Sequence, residues 1–336
     1  GGGSVFAAFL ADKYYINDKS NELISLYRSI KSQDVDFFQW INAIIKAWDA
    51  MQKYVIEHQD LIPLYLSYRE DRIDKEAVIS AAHKHLEDNS ESLSSVIPSE
   101  FKWHRDIYTN ELRVNLTRKL TRMYIIEREK GLMPQSDIYD NIETAFMSAL
   151  YMYFRCLYND AELLRSNEAL ATALFVYIRN YSYSGMFRYN DDGEFNVPYG
   201  GIAYNGKSLA KKISYYQSQE LTRHFDKTTI ENLDFEEFFH IHKPGNNDFI
   251  FLDPPYDSEF STYAKNEFTR DDQKRLANYL CNECKGKWMM VIKYTPFIYS
   301  LYENKGLTIK TFDKKYLVSF MNRNDKNAEH LIIMNY

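Results

Sequence analysis

The stretch Phe249-Ile250-Phe251-Leu252-Asp253-Pro254-Pro255-Tyr256 decides the fold class. An apolar run followed by an acid, two prolines and an aromatic residue predicts a buried strand that ends in a rigid loop. Open α/β sheets bind their ligands in the crevice at the carboxyl ends of the strands, where this loop would lie. The sequence therefore predicts an α/β fold with a ligand site at residues 253–256.

The loop itself has a distinctive hydrogen-bonding chemistry. Its prolines fix φ and carry no amide donors, so the Asp253 carboxylate and the Pro254 carbonyl remain as acceptors. Together they can accept both hydrogens of an exocyclic amino group and leave the nitrogen lone pair available. Tyr256 supplies a flat surface on which a base can stack. The alternative is a purely structural loop in which Asp253 is a cap.

Outward from this loop, the second half of the chain alternates extended and helical patterns. Such alternation predicts a mostly parallel sheet with helices on its faces. The predicted strands are 228–232, 248–253, 288–293, 307–312 and 330–335, and the predicted helices are 235–241, 270–284 and 296–303.

The beginning of the sequence resembles half of a nucleotide-binding α/β unit. Gly1-Gly2-Gly3-Ser4 predicts a turn before a helix, and residues 13–18 predict a short buried strand that ends at Asp18. An acid at the end of that strand is placed to accept hydrogen bonds from the vicinal hydroxyls of a ribose.

The middle of the chain is predominantly helical. Apolar residues recur at helical spacing over 21–58 and about 70–180, with Asp74 as a predicted N-cap. Two extended arms then flank Asp191-Asp192-Gly193, a strong hairpin signal. We therefore predict a helical region that ends in a hairpin.

Composition excludes several classes of protein. With 336 residues, 45% of them hydrophobic and 26% charged, the chain is typical of a globular protein and not of a disordered or coiled-coil one. No run of about 20 apolar residues is present, so we expect no membrane insertion and a cytoplasmic location. The net charge of −6 argues against a protein that coats nucleic acid with its whole surface.

The cysteines do not indicate a metal centre. Cys281 and Cys284 form a C-x-x-C pair without a second pair at zinc-site spacing. We expect reduced thiols and no metal.

Seven stretches together resemble the N6-adenine DNA methyltransferases of the D12 class, group alpha, to which Dam-type enzymes belong. They are GGGSVF (1–6), YYINDKSNELISLYRSI (14–30), SGMFRYNDDGEFNVPYG (184–200), LDF (233–235), LDPPY (252–256), TPFIYSLY (295–302) and NAEHLIIMNY (327–336). The resemblance covers the chain except about 65–165. It implies a Rossmann-like sheet that binds S-adenosylmethionine, with an inserted, mostly helical target-recognition domain that contains the hairpin.

The resemblance also implies a division of the chain. Residues 1–30 and 226–336 would form the catalytic core, and 31–225 the target-recognition region. That region would include an extra helical insertion at about 65–165 and a DNA-reading hairpin at about 184–200.

The family pattern implies a role for each matching residue. Asp18 would bind the ribose hydroxyls of S-adenosylmethionine, and Asp253 would also border the cofactor. Gly1, Gly3 and Ser4 would lie along its methionine part, and Asp234 and Phe235 would hold its adenine. The catalytic residues would be Asp253, Pro254, Pro255 and Tyr256, around a target adenine flipped out of the duplex. The alternative for Asp234 and Phe235 is an N-cap and a core aromatic residue.

The hairpin region would contact DNA. Tyr183, Ser184 and Met186 match a loop that enters the duplex near the flipped base, and Arg188, Asn196 and Pro198 match the hairpin that reads neighbouring bases. Arg188 is our single choice for sequence specificity, because arginine bound to guanine through two hydrogen bonds is the commonest specific contact. Ser184 replaces the asparagine frequent in Dam-type enzymes, which leaves the target sequence open.

The sequence departs from the family pattern in two places. A lysine- and glycine-rich motif and a first strand normally precede the glycines, so we expect a sheet without its first strand. We also expect the chain to bind S-adenosylmethionine weakly or not at all, and about 40 upstream residues to restore binding. The second departure is the insertion, whose basic residues indicate either a solvated helix face or an arm that tracks phosphates. They are Lys102, Arg105, Arg113, Arg118, Lys119, Arg122, Arg128 and Lys130.

The resemblance implies a site-specific enzyme that methylates adenine N6 in double-stranded DNA by direct in-line attack on the sulfonium methyl group. A restriction endonuclease with the same target is a candidate partner, and we expect a monomer of bacterial or phage origin. Alternatives are a catalytically impaired, truncated DNA-binding relic and a methyltransferase acting on RNA adenine or cytosine N4.

Overall fold

The computed structural model describes residues 3–257, 268–315 and 327–336. The chain divides into two compact units. The first contains Gly1–Lys31 and Gln219–Tyr336, and the second contains Ser32–Ser218. The catalytic and target-recognition roles assigned above to residues 1–30 with 226–336 and to 31–225 stay predictions.

Helices and strands alternate along most of the first unit, whereas the second unit consists mainly of helices. The chain begins with α1 (Ser4–Ala8), β1 (Tyr14–Asn17) and α2 (Asn21–Ser32). The second unit contains α3 (Val35–Glu57), α4 (Leu61–Arg69), α5 (Lys75–Asp88), α6 (Ser90–Val96), α7 (Arg105–Lys130), α8 (Gln135–Asn159), α9 (Ala161–Ser166), α10 (Glu168–Tyr181), a 3-10 turn (Tyr183–Gly185), α11 (Ile202–Asn205) and α12 (Ala210–Tyr216). The first unit then continues with α13 (Gln219–Asp226), β2 (Thr228–Glu231), α14 (Phe235–His242), β3 (Phe249–Leu252), α15 (Arg270–Asn282), β4 (Lys287–Lys293), α16 (Pro296–Tyr302), β5 (Thr308–Lys315) and β6 (Asn327–Met334).

The described strands of the first unit form two sheets. One is the parallel pair of β1 and β2, and the other has the order β3-β4-β6-β5. β3 and β4 are parallel, whereas β6 is antiparallel to both β4 and β5. Three strands of the larger sheet therefore run in one direction, and only β6 departs from the predicted parallel arrangement. β5 and β6 are consecutive strands, which can pair antiparallel without a crossover helix.

The prediction that β1 and β3 are buried strands is wrong. In β3, Phe249 and Phe251 are 43% and 36% exposed, and Tyr15 in β1 is 44% exposed. The described residues pair each of these strands on one edge only. Only one face of β3 packs on the core, through Ile250 and Leu252. Burial of a strand depends on its neighbours, which an apolar run does not specify.

The core of the first unit lies against the larger sheet. Alternate residues of β4, namely Trp288, Met290 and Ile292, are fully buried, as the two-residue period of a strand requires. They pack with residues of β6, α14, α15 and α16 in one cluster. Cys281 and Cys284 are half-buried beside it, and burial raises the pKa of both thiols.

The helices predicted for the middle of the chain are confirmed by α3 and by α5 to α10. The Asp74 side chain accepts a hydrogen bond from the Ala77 amide at 2.8 Å, as expected of an N-cap. Its core is rich in aromatic residues, and the rings of Trp48 and Tyr181 stack at 3.9 Å between centroids. Such pairs contribute stability beyond the area that they bury, which gives some of the 28 tyrosines of the sequence a structural role.

Several basic residues of the predicted insertion at about 65–165 have partners inside the second unit. Arg105 donates to the Ile97, Pro98 and Phe101 carbonyls at 2.9–3.1 Å, where these main-chain acceptors follow α6. Other pairs are Arg113 with Glu87, Arg118 with Asn115, Lys119 with Asn141, and Arg128 with Asp71. These contacts give the basic residues a structural role that does not require phosphate.

In the parts of the chain that the structure describes, no helix is both long and apolar enough to cross a bilayer.

Candidate active site

The loop at the end of β3 presents two acceptors without partners. Asp253 is exposed, and no described residue donates a hydrogen bond to its carboxylate or to the Pro254 carbonyl. Because neither proline has an N–H, the loop offers acceptors and no main-chain donor at these positions. The two acceptors predicted to bind an amino group are therefore accessible in this conformation.

Pro255 and Tyr256, the last two residues of the loop, contact α15 and β6. Gln273 Nε2, on α15, donates to the Pro255 carbonyl at 2.8 Å. The Tyr256 ring lies edge-on to His330 on β6, with centroids 5.5 Å apart. These contacts fix the centre of the loop against the core.

The segment just after the loop is tied to two helices. Arg270, the first residue of α15, forms two hydrogen bonds to the Asp257 carboxylate at 3.0 and 3.3 Å. The hydroxyl of Thr295, the N-cap of α16, donates to the same carboxylate at 3.2 Å. The two carboxylates thus differ in their contacts, because that of Asp257 has three hydrogen bonds and that of Asp253 has none from the described residues.

The structure describes two of the three predicted cofactor residues of the glycine turn, Gly3 and Ser4. Gly3 has φ of +74°, and a Cβ there would lie 2.8 Å from the Tyr27 hydroxyl, so a side chain is disfavoured by both conformation and space. Ser4 is exposed and begins α1. Gly1 lies outside the described residues.

Asp18 follows β1 immediately, as predicted. Its Oδ1 accepts from the Ser20 amide at 2.8 Å, and its carbonyl accepts from the Asn232 side chain at 2.8 Å. The side chain of Asn17 exchanges hydrogen bonds with the main chain of Leu233 at 2.9 and 3.1 Å. These bonds bring Asp18 beside the segment that leads to Asp234.

Asp234 is the N-cap of α14 and also an ion-pair partner. It accepts from the Glu236 amide at 3.0 Å, and Arg275 on α15 lies 3.4 Å from both of its carboxylate oxygens. Lys19 lies 3.8 Å away. The hydrogen bonds from Arg275 to Asp272 and Asp234 raise the pKa of its guanidinium. The capping alternative for Asp234 is thus confirmed, and its cofactor role stays a prediction.

The Phe235 ring contacts a guanidinium group and another aromatic ring, two groups that can also stack on a planar ligand. The Arg275 guanidinium lies 4.8 Å from its ring centroid, and the Phe268 ring lies 5.8 Å away. Phe235 packs on the edge of the core cluster and is only partly buried.

The predicted DNA-contacting residues cluster in the second unit. The hairpin is held by a bridge between Tyr189 and Phe195 and by Asn196 N–H donating to the Arg188 carbonyl at 3.2 Å. Arg188 Nε also donates to Asn196 Oδ1 at 2.9 Å, so two of the three predicted base-reading residues contact each other. The Tyr183 amide donates to the Pro198 carbonyl at 2.9 Å, which joins the loop to the hairpin.

Ser184 adopts a left-handed conformation inside the 3-10 turn, with φ of +55°. That region favours glycine and asparagine. We expect Ser184→Val to lower the free energy of unfolding of the second unit by about 1–2 kcal/mol, since a β-branched residue fits this region worst.

The control for this prediction is Ser184→Asn, which should leave stability unchanged or slightly raised. Urea denaturation of both variants measures the difference. Equal stability of the valine variant and the parent would contradict the conformation described here.

The residues that support the site were not predicted from the sequence. Gln273, Arg275 and His330 had no assigned role, because each acts through a contact between segments that are separated in sequence. One signal was available: Thr269 and Asp272 form a capping box, which fixes the start of α15.

Comparisons with known proteins bear on this site. A model of the family described as D12 class N6 adenine-specific DNA methyltransferase matches residues 58–318. The chain is 36% identical over 166 residues to the Type II methyltransferase M.CviBI of Paramecium bursaria Chlorella virus NC1A, which covers 48% of this chain and 60% of that protein. It is 34% identical over 135 residues to the Retron Ec67 DNA adenine methylase of Escherichia coli, with 39% and 44% covered.

A third relative is the DNA adenine methylase of Vibrio cholerae serotype O1 (strain ATCC 39541 / Classical Ogawa 395 / O395), at 27% identity over 187 residues, with 53% of this chain and 58% of that protein covered. The chain spans about half the length of the curated relatives that it matches.

Proposed function

Because the chain belongs to the D12 class N6 adenine-specific DNA methyltransferases, we propose that it transfers a methyl group from S-adenosylmethionine to adenine N6 in double-stranded DNA. The observation that carries this proposal is the pair of open acceptors at the end of β3, the Asp253 carboxylate and the Pro254 carbonyl, next to the anchored ring of Tyr256. An amino group on a planar base is the ligand that matches two acceptors and a stacking surface.

The proposed chemistry depends on positioning. Asp253 and the Pro254 carbonyl accept the two amino hydrogens and direct the nitrogen lone pair away from the loop. Tyr256 holds the plane of the base. The amino group becomes acidic once the new N–C bond forms, and the Asp253 carboxylate is the acceptor next to the departing proton. An adenine in a duplex cannot reach this loop while stacked, so base flipping is part of the proposal.

The residues fit the predicted cofactor at two points. Asp18 Oδ2 accepts no hydrogen bond from the described residues, which leaves an acceptor for a ribose hydroxyl. Gly3 allows a tight turn in which a side chain would be disfavoured. Ser4, Asp234 and Phe235 would complete the cofactor site. When bound, S-adenosylmethionine supplies an electrophilic methyl group on a sulfonium.

For the DNA contacts we propose that Arg188 reads one base pair. Its Nε donates to Asn196, and the guanidinium carries further donors suited to guanine. Arg188→Ala should relax discrimination at a single position by about 1–3 kcal/mol, measured as relative kcat/KM on duplexes with single substitutions. Arg122→Ala, an exposed arginine of the insertion, is the control.

A uniform loss of affinity across all sequences would contradict this assignment. Arg188 would then be a phosphate contact, and the salt dependence of binding would fall in the same variant.

The proposed function is tested by the identity of the modified nucleoside. The chain is incubated with S-adenosylmethionine labelled in the methyl group and with duplex DNA, single-stranded DNA or RNA, and the products are separated after digestion to nucleosides. N6-methyladenine from duplex DNA supports the proposal. N4-methylcytosine, or methylation confined to RNA, favours the corresponding alternative, and DNA binding without transfer favours the relic.

The name of the viral relative, a Type II methyltransferase, supports a second part of the proposal, that a restriction endonuclease with the same target is the partner. Mapping of modified bases in DNA from cells that express the chain would identify the target, and resistance of that DNA to an endonuclease with the same target would test the partnership.

A further inference from the structure

We propose that Gln273 is a positioning residue for methyl transfer, and that its hydrogen bond to the Pro255 carbonyl sets the orientation of the 253–256 loop. This inference rests on the proposed function. Gln273 lies outside the D-P-P-Y motif and had no predicted role.

The loop needs an external donor. Pro254 and Pro255 have no N–H, so they cannot brace the turn through their own amides. Among the described residues, the donor to the Pro255 carbonyl is Gln273 Nε2, at 2.8 Å. Gln273 is 1% exposed, so water does not compete for this bond, and the low local dielectric strengthens it.

The position of this bond determines what it controls. Proline fixes φ of residue 255, so ψ is the remaining main-chain freedom at that residue. A hydrogen bond to the Pro255 carbonyl fixes ψ and with it the plane of the peptide that leads into Tyr256. This peptide lies between the Pro254 carbonyl, which would accept an amino hydrogen, and the Tyr256 ring, on which the base would stack. A rotation of the peptide would therefore change the position of the ring relative to the carbonyl.

Two other contacts hold the loop when this bond is removed. The Tyr256 ring packs on His330, and Asp257 stays paired with Arg270. Loss of the Gln273 bond should therefore alter the orientation of the loop without releasing it from the core. The expected defect lies in the rate of transfer and not in folding.

The other end of the Gln273 side chain provides a way to separate positioning from packing. Its Oε1 is buried and has no hydrogen-bond partner in the described structure. A methionine of similar length would fill the same space and remove this desolvated acceptor. If Gln273 served only packing, Gln273→Met would be neutral or favourable.

α15 also reaches the predicted cofactor segment. Arg275 contacts Asp234 and the ring of Phe235 from the same helix that carries Gln273. The first turns of α15 therefore connect the loop for the target base with the segment predicted to hold the cofactor's adenine.

The test compares Gln273→Met with Lys274→Met, a matched change at the next, exposed position of α15. The single-turnover rate of methyl transfer to duplex DNA should fall at least tenfold in Gln273→Met. The dissociation constant for S-adenosylmethionine should change less than threefold, and the thermal midpoint should stay the same or rise. Lys274→Met should match the parent in all three. A rate in Gln273→Met within threefold of the parent would overturn the proposal.

A second measurement does not depend on activity. Crystal structures of the parent and of Gln273→Met should differ by a rotation of the peptide plane between Pro255 and Tyr256, whereas β4 should superimpose. If the parent chain transfers no methyl group, the proposed function fails for this chain, and the orientation of that peptide plane alone decides the role of Gln273. An unchanged peptide plane in Gln273→Met would overturn it.

Discussion

Asp253→Ala is expected to lower the rate of methyl transfer by about 10²–10³-fold, the loss typical when one hydrogen-bond partner of the reacting group is removed. The side chain is exposed and has no partner among the described residues, so its removal should change the free energy of unfolding by less than about 0.5 kcal/mol. Single-turnover kinetics and urea denaturation measure the two effects separately.

Two further variants sharpen this prediction. Asp253→Asn should be nearly as severe, because its amide presents donors to an amino group that needs acceptors. Asp271→Ala, which removes an exposed carboxylate from α15, should leave the rate unchanged. Transfer by Asp253→Ala within tenfold of the parent rate would exclude Asp253 from the reaction.

Glu127→Ala is expected to lower the free energy of unfolding of the second unit by about 3–5 kcal/mol, the usual cost of breaking a buried charged network. The Glu127 carboxylate accepts from the Tyr65 hydroxyl at 2.6 Å and from the Met133 amide at 2.7 Å, and lies 3.6 Å from Arg69. The pKa of Tyr65 is raised well above its usual range, mainly by burial and secondly by its hydrogen bond to the Glu127 carboxylate.

The control is Glu129→Ala, an exposed position two residues along α7, which should change stability by less than about 0.5 kcal/mol. Urea denaturation, followed by circular dichroism because the second unit is helical, measures both variants. A loss below about 1 kcal/mol in Glu127→Ala would mean that water replaces the carboxylate at low cost.

The sequence predicted element type well, because periodicity is a local property. The helix predicted over 270–284 is α15, Arg270–Asn282, and the strand predicted over 288–293 is β4, Lys287–Lys293. The turn in the hairpin was predictable for the same reason, since Gly193 has φ of +79° and the Asn190 side chain accepts from the Glu194 amide at 2.7 Å.

Contacts between distant segments were not predictable in the same way. The bond from Gln273 to Pro255 joins residues 18 apart, and the contact of Arg275 with Asp234 joins residues 41 apart. The exposure of Phe249 depends on which strands flank β3. No local pattern contains that information, whereas the open acceptors of the 253–256 loop follow from its two prolines and were deduced from the sequence.

The first unit is discontinuous in sequence, and this affects how the chain folds as it is synthesised. Asn17 bonds to Leu233, 216 residues later, and each residue of β1 pairs with a residue of β2 that lies 214 positions later. At about 5–20 residues per second, the ribosome takes about 10–40 seconds to deliver the partner of β1. The continuous second unit emerges completely during that delay. The helical unit can therefore fold first, while the unpaired Tyr14–Asn17 segment remains accessible to chaperones until its partner strand appears.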